Sequence, residues 1–348
     1  MTASIAGMGW VTPLGRDLFS VWTAISDDKR PDPVLLKSPM DGRSLPILRI
    51  PEDSIRDTAS LPRLRRSSTI SHLAVAAATD AVATAGMTPE ALKRTALVFA
   101  ASDGGVVYTR KFYAEIVERG EGAGSPLLFP ETVYNAPASH IAARLGLEGE
   151  VLTLVGDAAA GLSAVQTGCE LLAAGEADFC VVAAAQELDW ITCEAYRRWG
   201  LIGGHENHAA LFSEGAAAIV LTRASAGCRV LATHPGFSYP TEKDAQGRLE
   251  TMLAQLLQGS QVDVVVSCAS GTRFDFAEED CVARHLSKAR VLTPKSVLGE
   301  ALACSTLQQV ITGVMALGGR EGGMALVIAA GYNRQLAGLV LTRTPDDS

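Results

Sequence analysis

Val151-Leu152-Thr153-Leu154-Val155-Gly156-Asp157-Ala158-Ala159-Ala160-Gly161 holds the change of period on which the fold turns. Its first five residues are an apolar run of strand length, and Gly156 punctuates it. Beyond the turn, Leu162, Val165, Cys169 and Leu172 recur at helical spacing, which predicts a helix over residues 158–174. Residues 178–185 form a second apolar run. Strand, helix, strand in this order predicts a layered α/β protein with mostly buried strands.

The same alternation continues on both sides. Strands are predicted at residues 4–11, 95–102 and 216–222, with an Ala-rich helix at 71–85. Residues 28–62, rich in Pro, Asp and Ser, read as an irregular excursion. After a change of composition at 223–227, the pattern repeats: strand 229–233, helix 249–257, strand 262–267, a long helix 299–317, and strands 324–330 and 336–341. Residues 1–225 and 226–348 are therefore expected to be two similar halves of one compact unit.

The composition suits this. Of 348 residues, 48% are hydrophobic and 20% charged, enough to bury a large core. A net charge of -8 argues against a nucleic-acid surface, which needs concentrated Lys and Arg. Two short basic clusters, Arg63 with Arg65 and Arg66, and Arg197 with Arg198, read as solvated faces or as a small docking spot for an acidic carrier. No apolar run reaches the roughly 18 residues of a membrane helix, and no targeting segment is evident, so the expectation is a cytoplasmic protein without membrane contact. The seven cysteines (Cys169, Cys180, Cys193, Cys228, Cys268, Cys281, Cys304) are scattered without CxxC spacing and read as buried free thiols. No metal cluster, phosphate loop or dinucleotide fingerprint is expected. Asp103-Gly104-Gly105 follows a strand but lacks the Lys-Ser/Thr of a phosphate loop.

Several landmarks, in order and at matching separations, resemble the β-ketoacyl synthases, the condensing enzymes of fatty acid and polyketide assembly. They are Ile5-Ala6-Gly7-Met8-Gly9-Trp10-Val11-Thr12-Pro13-Leu14-Gly15, residues 135–146, 153–161 and 173–178, Ser213-Glu214-Gly215, residues 267–272, Pro294-Lys295-Ser296 with Gly299, and Gly331-Tyr332-Asn333. The resemblance covers nearly the whole chain. It implies a thiolase-like five-layered αβαβα fold of two similar halves, dimeric, with the nucleophile helix near the subunit contact.

Active members of that family acylate a Cys on the strand-to-helix turn and use two His residues on the extender. By resemblance, the Cys position falls here on Ala158, and the first His position on Cys268 or its immediate neighbour, with no His in the segment under either register. The second falls on Glu300. A methyl group cannot form an acyl-enzyme. A thiol is a weak donor and an ionised carboxylate only accepts, so neither replaces an imidazole that stabilises a developing enolate. Lys295 matches the family's site lysine and is expected either to pair with Glu300, sealing a vestigial pocket, or to be exposed. The gating Phe position falls on Ala329. None of the six histidines (His72, His140, His205, His208, His234, His285) falls at a family site position. His140 reads as a packing residue, and His205 and His208 as solvated.

The resemblance therefore implies a non-catalytic subunit of the chain-length-factor type. It would pair as a heterodimer with an active ketosynthase, meet an acyl carrier protein, and shape the tunnel in type II fatty acid, polyketide or aryl polyene assembly. Phosphopantetheine would come on the carrier, with no cofactor of the chain's own. Two alternatives stand beside it: an acyl-thioester enzyme using Cys268 and Glu300, and a homodimeric acyl-binding scaffold. The stripe along helix 158–174 would serve a subunit contact or a plain core equally well.

Overall fold

Runs of Val, Leu, Ile and Ala form ten strands in one sheet. The structure is a computed structural model that describes residues 3–201, 211–225, 227–272 and 274–343. The first half supplies β1 (Ala3–Val11), β2 (Thr95–Ala101), β3 (Val151–Val155), β4 (Phe179–Gln186) and β5 (Gly215–Thr222). The second supplies β6 (Cys228–Ser238), β7 (Val264–Val266), β8 (Arg290–Leu292), β9 (Met324–Ala330) and β10 (Gln335–Arg343). Their spatial order is β8-β7-β9-β10-β6-β1-β5-β4-β2-β3. Read outward from the centre, each half runs first, last, fourth, second, third. In each, the last strand is antiparallel to its neighbours and the outer three are mutually parallel. Pairing of Ala3–Ile5 with residues 228–230 joins the halves.

Five layers result. Helices α1 (Thr69–Thr84) and α2 (Ala136–Leu145) cover the outer face of the first half, and α4 (Glu242–Leu257) and α5 (Phe274–His285) that of the second. Between the two halves of the sheet lie α3 (Ala159–Ala174) and α6 (Ala303–Ala316), which pack on each other and on strands of both halves. Strand β2 shows why its run is uninterrupted: Ala96, Val98 and Ala100 enter the central core, while Leu97, Phe99 and Ala101 enter the outer one. A strand buried on both faces has no place for the polar half of an alternating pattern.

The structure departs from the sequence reading in three places. Strand β3 is an edge strand, with Val151 40% and Val155 56% exposed, where burial was expected. The excursion at 28–62 contains a hairpin, Val34–Lys37 with Ser44–Leu48, which Phe212–Ser213 extends to three strands. The predicted helix 299–317 begins only at Ala303, because the Glu300 backbone is tied to Leu211 and Ser213. Leu162, Val165, Cys169 and Leu172 all lie in this chain's own central core, so the α3 stripe is filled without a partner.

Candidate functional site

The turn after β3 is held from three sides. Gly156 N donates to Ala101 O at 3.0 Å, ending the strand. The Asp157 carboxylate accepts from Ala158 N at 2.7 Å and, across the molecule, from Asn333 N at 3.0 Å. Thr306 of α6 donates its hydroxyl to Ala158 O at 2.7 Å. Ala158, the N-cap of α3, is 1% exposed and offers only a methyl group to this buried position. One turn on, a Cβ on Gly161 would stand 2.6 Å from Ala303 O and 2.8 Å from Thr306 Cβ, so glycine lets α3 and α6 touch backbone to backbone.

Helix α6 gathers the remaining positions. Its Gln309 donates to Ser267 O at 2.8 Å and Ile328 O at 2.9 Å, and the Ala303 N–H at its start reaches Ser102 Oγ at 3.2 Å. Just before it, Glu300 is fixed through its backbone: its N–H donates to Leu211 O at 2.8 Å, and its carbonyl accepts from Ser213 N at 2.9 Å. Its side chain turns inward. Oε2 takes the Lys295 ammonium at 2.6 Å, and Oε1 takes Leu302 N at 2.7 Å. Burial works against the Lys295 charge, but Glu300 outweighs it and holds the ammonium above its ordinary value. Leu302 sits at φ 54°, a strained setting for a residue with a Cβ, where its N–H points at Glu300.

Cys268 follows β7 and is 2% exposed. Its hydrogen bonds go to Glu278 of α5 rather than to Glu300: N–H to Oε1 at 3.0 Å and Sγ to Oε2 at 3.3 Å, with Ser267 Oγ on the same oxygen at 2.9 Å. Burial, reinforced by Glu278, pushes the thiol well above its ordinary value, and burial raises Glu278 to about 7. A thiol so placed stays protonated at neutral pH, and its thiolate is disfavoured as a nucleophile. Glu278 escaped the sequence reading, although its place on the first turns of a helix close behind Ser267-Cys268 was a usable signal.

Aromatic side chains distant in sequence close the region. Tyr196 meets Phe212 at 4.8 Å and Tyr332 at 5.6 Å between ring centroids. Burial, together with Asp157 and Glu300, raises both tyrosine hydroxyls well above their ordinary values. The Tyr332 hydroxyl is buried with no hydrogen-bond partner among the described residues. Ala329 is buried inside β9, paired with Ala337, and carries no ring to swing. Beside the site opens a cleft of about 940 Å³ whose lining includes Ser270, Thr272, Val282, Leu286, Lys295 and Ser296.

Lys295 and Glu300 thus meet directly, as the pairing expectation has it. All seven cysteines are buried and free. Arg197 and Arg198 both close on Glu194, whereas Arg63, Arg65 and Arg66 remain exposed. His140 does more than pack: its Nε2 lies 2.6 Å from Glu131 and 3.1 Å from Ser67. His205 and His208 lie outside the described residues. No helix among the described residues is long and apolar enough to cross a membrane.

Two repeated α/β halves sharing a pair of central helices, with a tight strand-to-helix turn at the start of one of them, define a thiolase-like condensing-enzyme scaffold. The chain belongs to the β-ketoacyl synthase family: the model of the β-ketoacyl synthase N-terminal domain matches residues 53–233, just over half of it. No curated protein matches the sequence significantly. Among solved structures, the ishigamide ketosynthase/chain length factor is similar at TM-score 0.85 and 20% identity, covering 99% of this chain and 100% of that one. A β-ketoacyl synthase from Burkholderia phymatum STM815 follows at TM-score 0.80 and 17% identity, covering 99% of each chain. A type II polyketide ketosynthase bound to the hexaketide, in complex with its acyl-carrier protein, stands at TM-score 0.81 and 14% identity, covering 98% of this chain and 99% of that one. At these identities the likeness is one of fold.

Proposed function

We propose that this chain is a non-catalytic ketosynthase-like subunit of the chain-length-factor type, pairing with an active ketosynthase and shaping the tunnel in which that partner's acyl or polyketide chain grows. The observation that carries the reading is Ala158: the turn is fully built, yet its tip bears a methyl group, so the acyl-enzyme step has no nucleophile there. At the two imidazole positions, Glu300 is spent on Lys295 and Cys268 on Glu278. Neither is free to donate to a thioester oxygen.

A partner surface is supported by the sheet edge. Val151 and Val155 expose apolar side chains on a strand that is at the sheet edge among the described residues, a combination that monomers avoid. The helix Val106–Arg119, with exposed Tyr113 and Val117 and no buried residue, adds unfilled apolar surface in the same half. The neighbouring structures of a ketosynthase/chain length factor and of a ketosynthase with its carrier agree with such partners. The cleft beside Ser270, Thr272 and Lys295 has room for the arm of a carrier-borne substrate.

The test is co-expression with a ketosynthase that retains Cys and two His residues and is encoded beside this chain. A one-to-one heterodimer is expected by size exclusion with light scattering, and Val155→Lys should abolish it while leaving the isolated chain's thermal midpoint unchanged. A stable homodimer indifferent to every such ketosynthase would favour an acyl-binding scaffold. Elongation of a carrier-bound acyl group by the isolated chain would overturn the reading.

A further inference from the structure

Away from this site, Cys281 and His285 lie one helical turn apart on α5, and Glu250 of α4 reaches the same point from the facing helix. The donor atoms of all three lie within 4.8 Å of one another, with His285 Nε2 3.7 Å from Glu250 Oε1. Cys281 is buried, Glu250 half-buried and His285 exposed. The cluster is closed beneath by packing and opens above to a cleft of about 330 Å³ that Glu250 and His285 help to line.

We propose that Glu250, Cys281 and His285 form a binding site for one zinc-class divalent cation, with water from the cleft as fourth ligand. Residues four apart on a helix present both donors on one face. A sulfur, nitrogen and oxygen set suits a borderline-soft ion and discriminates against calcium and magnesium, which take oxygen alone. Metal bonds of about 2.0 to 2.3 Å place tetrahedral ligands roughly 3.3 to 3.8 Å apart. The cluster must therefore contract by about 1 Å, which rotation of the exposed imidazole and the half-buried carboxylate supplies. Arg284 Nη1, 3.5 Å from Glu250 Oε1, also pairs with Asp280 and can turn wholly to it. On binding, the Cys281 S–H bond breaks, its electron pair forms the sulfur–metal bond, and the proton passes to solvent.

The consequence reaches the site described above, because α5 also carries Glu278, the carboxylate that holds Ser267 and Cys268. An ion stapling α5 to α4 would fix that wall of the larger cleft. The inference is independent of whether the chain condenses anything.

Cobalt(II) titrated into the tag-free full-length chain tests it. One equivalent should produce thiolate-to-cobalt charge-transfer absorption with tetrahedral visible bands, chased by zinc chloride. Zinc alone should raise the thermal midpoint of the wild type. Glu250→Gln and His285→Gln, neither buried, keep the fold and should each weaken binding at least about tenfold, a loss of the size seen when metal sites are perturbed. Absence of the charge-transfer band, or its persistence at unchanged affinity in both variants, would overturn the site.

Discussion

Lys295 Nζ and Glu300 Oε2 stand 2.6 Å apart, with only 2% and 3% of their side chains exposed. Two charges so buried exist only because each neutralises the other, and Glu300 also satisfies Leu302 N with its second oxygen. The pair gives both buried side chains a structural role.

Removing one partner leaves an uncompensated charge. Lys295→Met is expected to lose about 3 to 5 kcal/mol in urea unfolding. Lys295→Met with Glu300→Gln, which keeps an acceptor for Leu302 N, should recover most of it. Equal stability of wild type and Lys295→Met would show that the pair contributes nothing.

On the proposed function, a thiol placed at position 158 does not by itself confer condensation. Ala158→Cys places a nucleophile at the turn, but Glu300 and Cys268 still fail to stabilise an enolate. The purified variant is expected not to elongate carrier-bound acyl groups in a radiolabelled-product assay. Robust elongation would mean that the other two replacements are catalytically harmless.

Gly161→Ala tests the contact between the central helices with a sign opposite to helix propensity. Alanine ordinarily stabilises a helix interior over glycine by about 1 kcal/mol. Here its Cβ would lie 2.6 Å from Ala303 O, so overpacking should win and cost roughly 1 to 3 kcal/mol. A raised thermal midpoint would contradict the close approach.

Glu278 makes stability depend on pH. Burial raises its carboxyl to about 7 in the folded chain from the ordinary 4.5. The native state therefore binds more protons than the unfolded one between those values, and its stabilising contribution is full below pH 4.5 and lost as pH rises through about 7. Glu278→Gln removes that dependence. Relative to the variant, the wild type should be on the order of 3 kcal/mol better off at pH 4 than at pH 8, by denaturant titration at both. A pH-independent difference would place the carboxylate in a solvated setting.

The local sequence was sufficient for the layered α/β plan, the repeat of the two halves and the methyl group at position 158. Period and chain order are short-range properties that a single strand or helix carries by itself. The burial of β3 was misjudged because an apolar run is the same whether a strand lies inside a sheet or at its edge. Only the completed strand order leaves Val155 exposed. Residues 299–302 read as helix because the tie of Glu300 to Leu211 and Ser213 is a long-range contact. The ring cluster of Tyr196, Phe212 and Tyr332, and the meeting of Glu250 with Cys281 and His285, likewise join residues far apart in the chain. Side-chain chemistry is written residue by residue, but which groups face one another is set by how the layers pack, and that exists only once the whole chain has folded.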